Sequence, residues 1–288
     1  GKGSGASTNA ATLRLAVASL TLANPVTIQT NSTGLKMIQA VESATLSGAI
    51  TNYETGDDRV TFDVAASKTL TLSGILSGSG SGEITKTGAG TLLMSNTGNS
   101  HTKKVTVEAG VLSIAASRNL GEDPGGSYAN KLTLNGGTLK ATASFALNTN
   151  YNMVVNGGSI DVDASMTLTN GAPISGSGAL TKLGNGTLLL TGAGTFTGPL
   201  TNSAGILQIG NNGTTGSLTA NIVNNAVLAF YRTDAHTYAG VISGAGTLTN
   251  LAGTLTLSGH STLSGATVLA GGRMILSGSL SNSAVTVA

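Results

Sequence analysis

Cysteine and tryptophan are absent from this chain of 288 residues, aromatic side chains make up 3% of it and charged ones only 9%. Without cysteine, disulfides and thiolate metal sites drop out. The charged share lies far below the roughly 25% of an ordinary soluble protein. With a formal net charge of +2 it leaves no basic footprint for nucleic acid. The basic doublet Lys103-Lys104 is expected to be a solvated loop. No apolar run approaches the roughly 20 residues of a membrane helix, and no signal-peptide pattern opens the chain. Residues 1–5, GKGSG, read as a cloning remnant, leaving 6–288 as one continuous folded element.

What replaces charge is glycine and small polar side chains. Glycine occurs 42 times, about twice its usual share of roughly 7%. Disorder is a poor reading, because it calls for low hydrophobicity with high net charge, and here 40% of residues are apolar. Serine, threonine, asparagine and glycine among short apolar runs suit strands joined by tight turns.

A stretch of about 35 residues recurs. The first copy, GSGEITKTGAGTLLMSNTGNSHTKKVTVEAGVLSI, runs from Gly80 to Ile114. The second, GSGALTKLGNGTLLLTGAGTFTGPLTNSAGILQI, runs from Gly176 to Ile209. A looser third, GAGTLTNLAGTLTLSGHSTLSGATVLAGGRMIL, runs from Gly244 to Leu276. Such units cannot bury an apolar face alone and must stack. Within each, apolar residues alternate with the period of a strand. Leu92 and Met94 share one face, Leu188 and Leu190 repeat this, and Leu189 points the other way. The same phase returns after about 20 residues, at Leu112, at Leu207 and, from Leu255, at Met274. A chain that returns to phase at that interval can coil into a parallel β-solenoid rising one strand spacing of about 4.8 Å per turn. Roughly a dozen coils and a rod on the order of 60 Å are expected.

The blocks are related over longer range. FDVAASKTLTLSG from Phe62 precedes the first copy as IDVDASMTLTNG from Ile160 precedes the second. Excursions are expected at Asn52–Arg59 and Arg118–Tyr128, where charge and turn residues gather. GLKMIQAVES, from Gly34 to Ser43, admits a short helix by the spacing of Leu35, Ile38 and Val41.

Few residues offer chemistry. Asp161 and Asp163 lie at i, i+2 on one strand face, and a polysaccharide-cleaving solenoid would use clustered acids there. The equivalent place in the earlier block holds Asp63 and Ala65, so the pair does not recur. The densest mix of aromatic and ionisable groups is Phe230, Tyr231, Arg232, Asp234, His236 and Tyr238, which could bind sugar rings. Of these, Tyr231, Arg232, Asp234, His236 and Tyr238 are the binding candidates, against a reading as aromatic caps and solvated turns. Alternation puts the even-numbered members together only if no turn intervenes. Glu54, Asp57 and Asp58 could offer oxygens to calcium, but the nonapeptides of a calcium roll are absent. His101, His236 and His260 share no zinc spacing. Gly78, Gly80 and Gly82 are turn glycines, not a dinucleotide fingerprint. No cofactor and no metal are expected.

GSGALTKLGNGTLLLTGAGTFTGPLTNSAGILQI resembles the passenger-associated repeat of bacterial autotransporters. That repeat reads roughly Gly-x-Gly-x-Leu-Thr-Lys-x-Gly-x-Gly-Thr-Leu-x-Leu, then a polar turn, an aromatic-Thr-Gly and Ala-Gly-x-Leu. The second copy carries most of it, including Phe196-Thr197-Gly198. The first departs at His101-Thr102-Lys103, and the third has Asn250 in place of the lysine. AVLAFYRTDAHTYAGVISGAG (Ala226 to Gly246) is similar to the segment that leads into such repeats. The resemblance implies a right-handed parallel β-helix, secreted or displayed at the bacterial surface, non-catalytic, acting as an adhesin and stalk. It implies attachment to a host-cell or bacterial-surface protein or glycan, with self-association open, and a C-terminal membrane barrel outside this sequence. The lack of cysteine fits a chain threaded unfolded through membranes. The rival readings are a polysaccharide-cleaving enzyme and a passive spacer.

Overall fold

From Ile38 to Phe62, Lys86, Val107 and Leu134 the chain returns to one interior column, each residue in parallel register with the next. The computed structural model behind this description covers residues 10–29, 34–53, 59–78, 82–123, 125 and 128–288. The described residues are almost wholly parallel strand and turn, with a single 3₁₀ turn at Ser117–Leu120. Two compact units divide the chain, residues 1–139 and 140–288.

The first unit is a parallel β-solenoid with three strand positions per coil. One sheet stacks Ala11–Leu15, Lys36–Ala40, Arg59–Val64, Glu83–Thr87 and Lys104–Val107. A second stacks Leu20–Leu22, Ala44–Leu46, Thr69–Leu72, Thr91–Met94 and Val111–Ile114. A short third stacks Val26–Ile28, Ile50–Asn52 and Leu76–Ser77. The pattern buried–half-buried–buried in Ala44–Leu46 and Ile50–Asn52 is the period-2 signature of strands with one face in a core. Lys36–Ala40 shows the same alternation, so GLKMIQAVES is a strand and not a short helix. Its backbone donors and acceptors are taken by parallel neighbours on both sides, which an isolated helical turn could not match.

The second unit coils the same way. Leu168, Leu188, Leu207, Leu228 and Leu248 form an interior column in unbroken register, all fully buried. The predicted partners Leu92 with Leu112, Leu188 with Leu207 and Leu255 with Met274 are each directly paired. Leu189 takes the opposite face as expected, yet it is only 7% exposed. Its register neighbours Thr169 and Gln208 flank it within a strand spacing and cover it.

Glycine's abundance follows from the turns, which stack as closely as the strands. Gly110 has φ +64°, a left-handed conformation that costs other residues free energy. A Cβ there would stand 2.4 Å from the carbonyl oxygens of Gly88 and Gly90 in the coil before. Along Gly240, Gly259 and Gly278 each added Cβ would come within 2.5 Å of the carbonyl oxygen of the preceding turn.

Candidate functional site

Phe230 sits in the strand Val227–Tyr238, paired with Ile209 on one side and Asn250 on the other. Immediately after it the register shifts, and it shifts again before Ala235, which pairs with Thr254. The strand therefore turns a corner, and simple alternation fails across residues 231–234. Phe230 and Tyr238 both point into the core, their ring centroids 5.4 Å apart, and the His236 ring lies 6.1 Å from Phe230. Tyr238 is fully buried and its hydroxyl donates to the Ala220 carbonyl, so this candidate is core, out of reach of a ligand. Burial pushes its phenol pKa up.

Arg232 is a clamp. Its Nε donates to Asp234 Oδ1 at 2.9 Å and one Nη to Asp234 Oδ2 at 2.7 Å. The same guanidinium donates to the carbonyls of Thr214 (2.6 Å) and Gly216, holding the loop that follows Gly213. The fork of five donors suits this task. Arg232 holds the Asp234 carboxyl below the usual carboxylate range. Burial lowers the His236 pKa, with Arg232 adding to it. Tyr231 remains half-exposed beside them. Of the five candidates, Arg232 and Asp234 are brought together as a structural pair, and His236 and Tyr238 are turned to the aromatic core.

Asp161 and Asp163 do meet a basic group. Lys140 Nζ stands 3.2 Å from Asp161 Oδ2 and 2.6 Å from Asp163 Oδ1. Hydrogen bonding to Asp163, then to Asp161, raises the Lys140 pKa despite some burial. Two carboxyls that share acid–base work need environments that separate them, whereas here one ammonium bridges both. In the earlier block Asp63 accepts from Gln39 (3.1 Å) and Thr87 (3.0 Å). No group of three His, Asp or Glu able to hold a metal occurs among the described residues. Glu54, Asp57 and Asp58 lie outside the described residues. A hollow of about 450 Å³ opens beside the first strands, walled by Leu13, Val26, Ile28, Ile38 and Val60. Thr12, Thr27, Gln29 and Lys36 add the polar part of its lining, and Lys36 is its one ionisable group.

The functional residues that sequence reasoning missed are buried lysines. Lys86 and Lys182 hold the lysine position of the repeat, and both are fully enclosed. Lys86 Nζ donates to the carbonyls of Thr87 (2.6 Å), Gly88 (2.7 Å) and, one coil on, Ala109 (3.1 Å). Lys182 Nζ reaches Leu183 and Gly184 at 2.8 Å each and Ala204 at 3.0 Å. Burial pulls each ammonium pKa down to about 8, against the nearby Asp63 and Asp161. In the third copy Asn250 does the cross-coil part of this work, its amide donating to the Gly271 carbonyl at 2.9 Å. It does so from a different face, because Asn250 pairs with Phe230 whereas Lys182 pairs with Asn202. Lys103, expected in a solvated loop, is fully buried with Lys131 and His101, while Lys104 is half-exposed. Lys131 Nζ donates to the Lys103 carbonyl at 2.6 Å, and burial brings its pKa to about 7.

Comparison with known proteins points the same way as the repeats. The passenger-associated-transport-repeat family matches residues 84–114, 180–209 and 252–276, the same three copies. An adhesin autotransporter of Brucella suis, BmaC, is 39% identical over 205 residues, 71% of this chain. The chain spans 6% of that relative's length. No solved structure matches the chain.

Proposed function

We propose that this chain, which is a segment of an autotransporter passenger, serves as an adhesin-like surface and stalk in attachment to host or neighbouring cells. As a passenger it is secreted to the cell surface and tied to the outer membrane. The observation that carries the adhesive reading is the 39% identity, over most of the chain, to a protein described as an adhesin. Two features support it. A solenoid couples only neighbouring coils, so it lengthens without needing a larger core. Its outer strand faces carry serine, threonine and asparagine, suited to many weak contacts that add through avidity.

The reading is non-catalytic, since Asp161 and Asp163 are bridged by Lys140, Asp234 is paired with Arg232, and Asp63 is engaged by Gln39 and Thr87. Partners are proposed to be a protein or glycan of a host cell or of a bacterial surface, with a membrane barrel supplied elsewhere in the full-length protein. Beads carrying many copies of the chain should attach to cultured host cells or to bacteria more strongly than beads carrying a charge-matched inert protein. Absence of attachment to every surface tried would favour a passive spacer. Cleavage of pectin or alginate, abolished by Asp161→Asn with Asp163→Asn, would favour an enzyme.

A further inference from the structure

One sheet of the first unit presents hydroxyls in a lattice. Its outward residues Thr21, Thr45 and Thr71 stand in direct register, coil over coil, and Thr69 stands over Thr91 in the adjacent column. Neighbours within a column are about 4.8 Å apart, and columns two residues apart along a strand are about 6.6 Å apart. Ser47, Ser73 and Ser95 continue the array at the strand ends, each exposed and each with its backbone N–H bonded to the preceding coil. The inward partners Leu70, Leu72, Leu92 and Met94 are fully buried, so the spacing is fixed by core packing as well as by the ladder.

The face carries no charge, and the hydroxyl column Thr21–Thr45–Thr71 ends where Thr71 meets the half-exposed Leu93. Residues 19–23, 43–47, 69–73 and 91–95 include no acid, no base and no aromatic. Lys68 and Glu42, at one margin, neutralise each other at 2.5 Å. The hydroxyls of Thr21, Thr45, Thr69, Thr71 and Thr91 make no hydrogen bond to another described residue, and all five are exposed or half-exposed. Each has donor and acceptor capacity to spare.

We propose that this face is a docking surface for an uncharged, hydroxyl-rich polysaccharide chain. The inference rests on the adhesin reading and names its ligand class. Protein partners anchor through buried aromatic and arginine hot spots, which this face lacks. An anionic glycan or an anionic membrane would call for lysine and arginine in the array, and none is there. A neutral polymer whose hydroxyls repeat along its length can bond several coils at once without desolvating any charge. Each bond is weak, so affinity arises from the number of coils engaged.

The test uses the full chain in co-sedimentation with microcrystalline cellulose, amylose-coated beads and dextran-coated beads. Heparin beads and phosphatidylcholine vesicles serve as comparisons. Retention on at least one neutral glucan is expected, unchanged between about 0.05 M and about 0.5 M salt, a range over which exposed charge pairs are screened. Thr45→Val with Thr71→Val keeps the branched strand shape and should lower retention about tenfold or more, the worth of a few lost hydrogen bonds. Thr71→Lys should do the same while keeping the surface polar, which separates hydroxyl loss from aggregation. Thr181→Val with Thr201→Val, on an outer strand face of the second unit, should change nothing. No retention on any neutral glucan, equal retention of the Thr45/Thr71 variants, or retention on heparin that fades with salt overturns the proposal. If the parent beads attach to cells and the Thr45→Val/Thr71→Val beads attach equally, this surface is wrong and the adhesin reading stands. If the parent beads attach to nothing, the adhesin reading itself fails.

Discussion

Lys182 and Ala204 belong to successive coils, and the Lys182 ammonium bonds the Ala204 carbonyl at 3.0 Å while also holding the carbonyls of its own turn. A charged side chain in an interior column is expensive unless every donor is met, and here three backbone acceptors meet it. The repeat's lysine is therefore a staple between coils.

Removing the staple should be costly. Lys182→Met or Lys86→Met keeps the stem but strands buried carbonyls, each at about 1–3 kcal/mol. Lys182→Asn should recover part of the loss, as Asn250 does with Gly271 in the third copy. Because solenoids need not unfold as one unit, amide exchange is the better measure. Protection should drop around Ala204 and Gly205 for the Lys182 variants and around Ala109 and Gly110 for the Lys86 variant. Unchanged protection would show that the ammonium contributes nothing.

The phase of the leucine column gives a second test. Leu188 is fully buried between Leu168 and Leu207. Burial of one leucine is worth roughly 1.5–3 kcal/mol, and a carboxylate there has no partner. Leu189 is covered by side chains rather than enclosed, so a carboxylate at that position can turn toward water. Leu188→Asp should therefore lower the melting temperature far more than Leu189→Asp. Equal losses would mean that the outer face at Leu189 is as dry as the core.

Periodicity made the coils legible because a strand's period-2 pattern and a 20-residue return are both set by the backbone. Leu92 with Leu112 and Leu188 with Leu207 could be read from spacing alone. What could not be read was the inside of the coil. Lys103 looks like a solvated charge by its side chain alone, and only the fold shows it enclosed. Alternation failed across Phe230 to Tyr238 because register shifts there turn the strand at a corner. Spacing likewise hid the face on which the third copy starts, since Asn250 sits in a different sheet from Lys182 although the local motifs align.

His101 should make the first unit sensitive to acid. It is fully buried, neither ring nitrogen has a hydrogen-bond partner among the described residues, and Gly121 abuts the ring. Burial, then Lys131 and Lys103, hold its pKa well below the ordinary 6.5. The unfolded chain therefore takes up a proton below pH 6.5 that the folded chain refuses, and stability present above that pH is lost as pH falls. Exchange of amides 101–107 and 119–122 should accelerate from about pH 7.5 to about pH 5, after correction for intrinsic rates. His101→Leu should flatten that dependence. Local readout matters, because burial also lowers the pKa of His236 in the second unit. A pH response that survives in His101→Leu would assign it elsewhere.

Arg232 is predicted to act on its loop and not on a ligand. Its guanidinium ties the Thr214 and Gly216 carbonyls to Asp234, and hydrogen bonds to a charged group are worth about 1.5–3 kcal/mol each. Four of the seven residues 211–217 are exposed, and the backbone fastens the segment at its ends, by the pairing of Gly213 with Arg232 and of Ser217 with Ala193, leaving the middle to the guanidinium. Arg232→Ala should raise amide exchange across 211–217 at least about tenfold and open the loop to proteolysis near Gly213. The melting temperature should barely move, since the leucine column from Leu188 to Leu228 is untouched. Arg232→Lys keeps the charge but loses the planar fork, so it should fall between the two. Attachment of Arg232→Ala beads to cells should match the parent. If attachment falls while the loop stays protected, Arg232 contacts a partner directly and belongs to a binding surface after all.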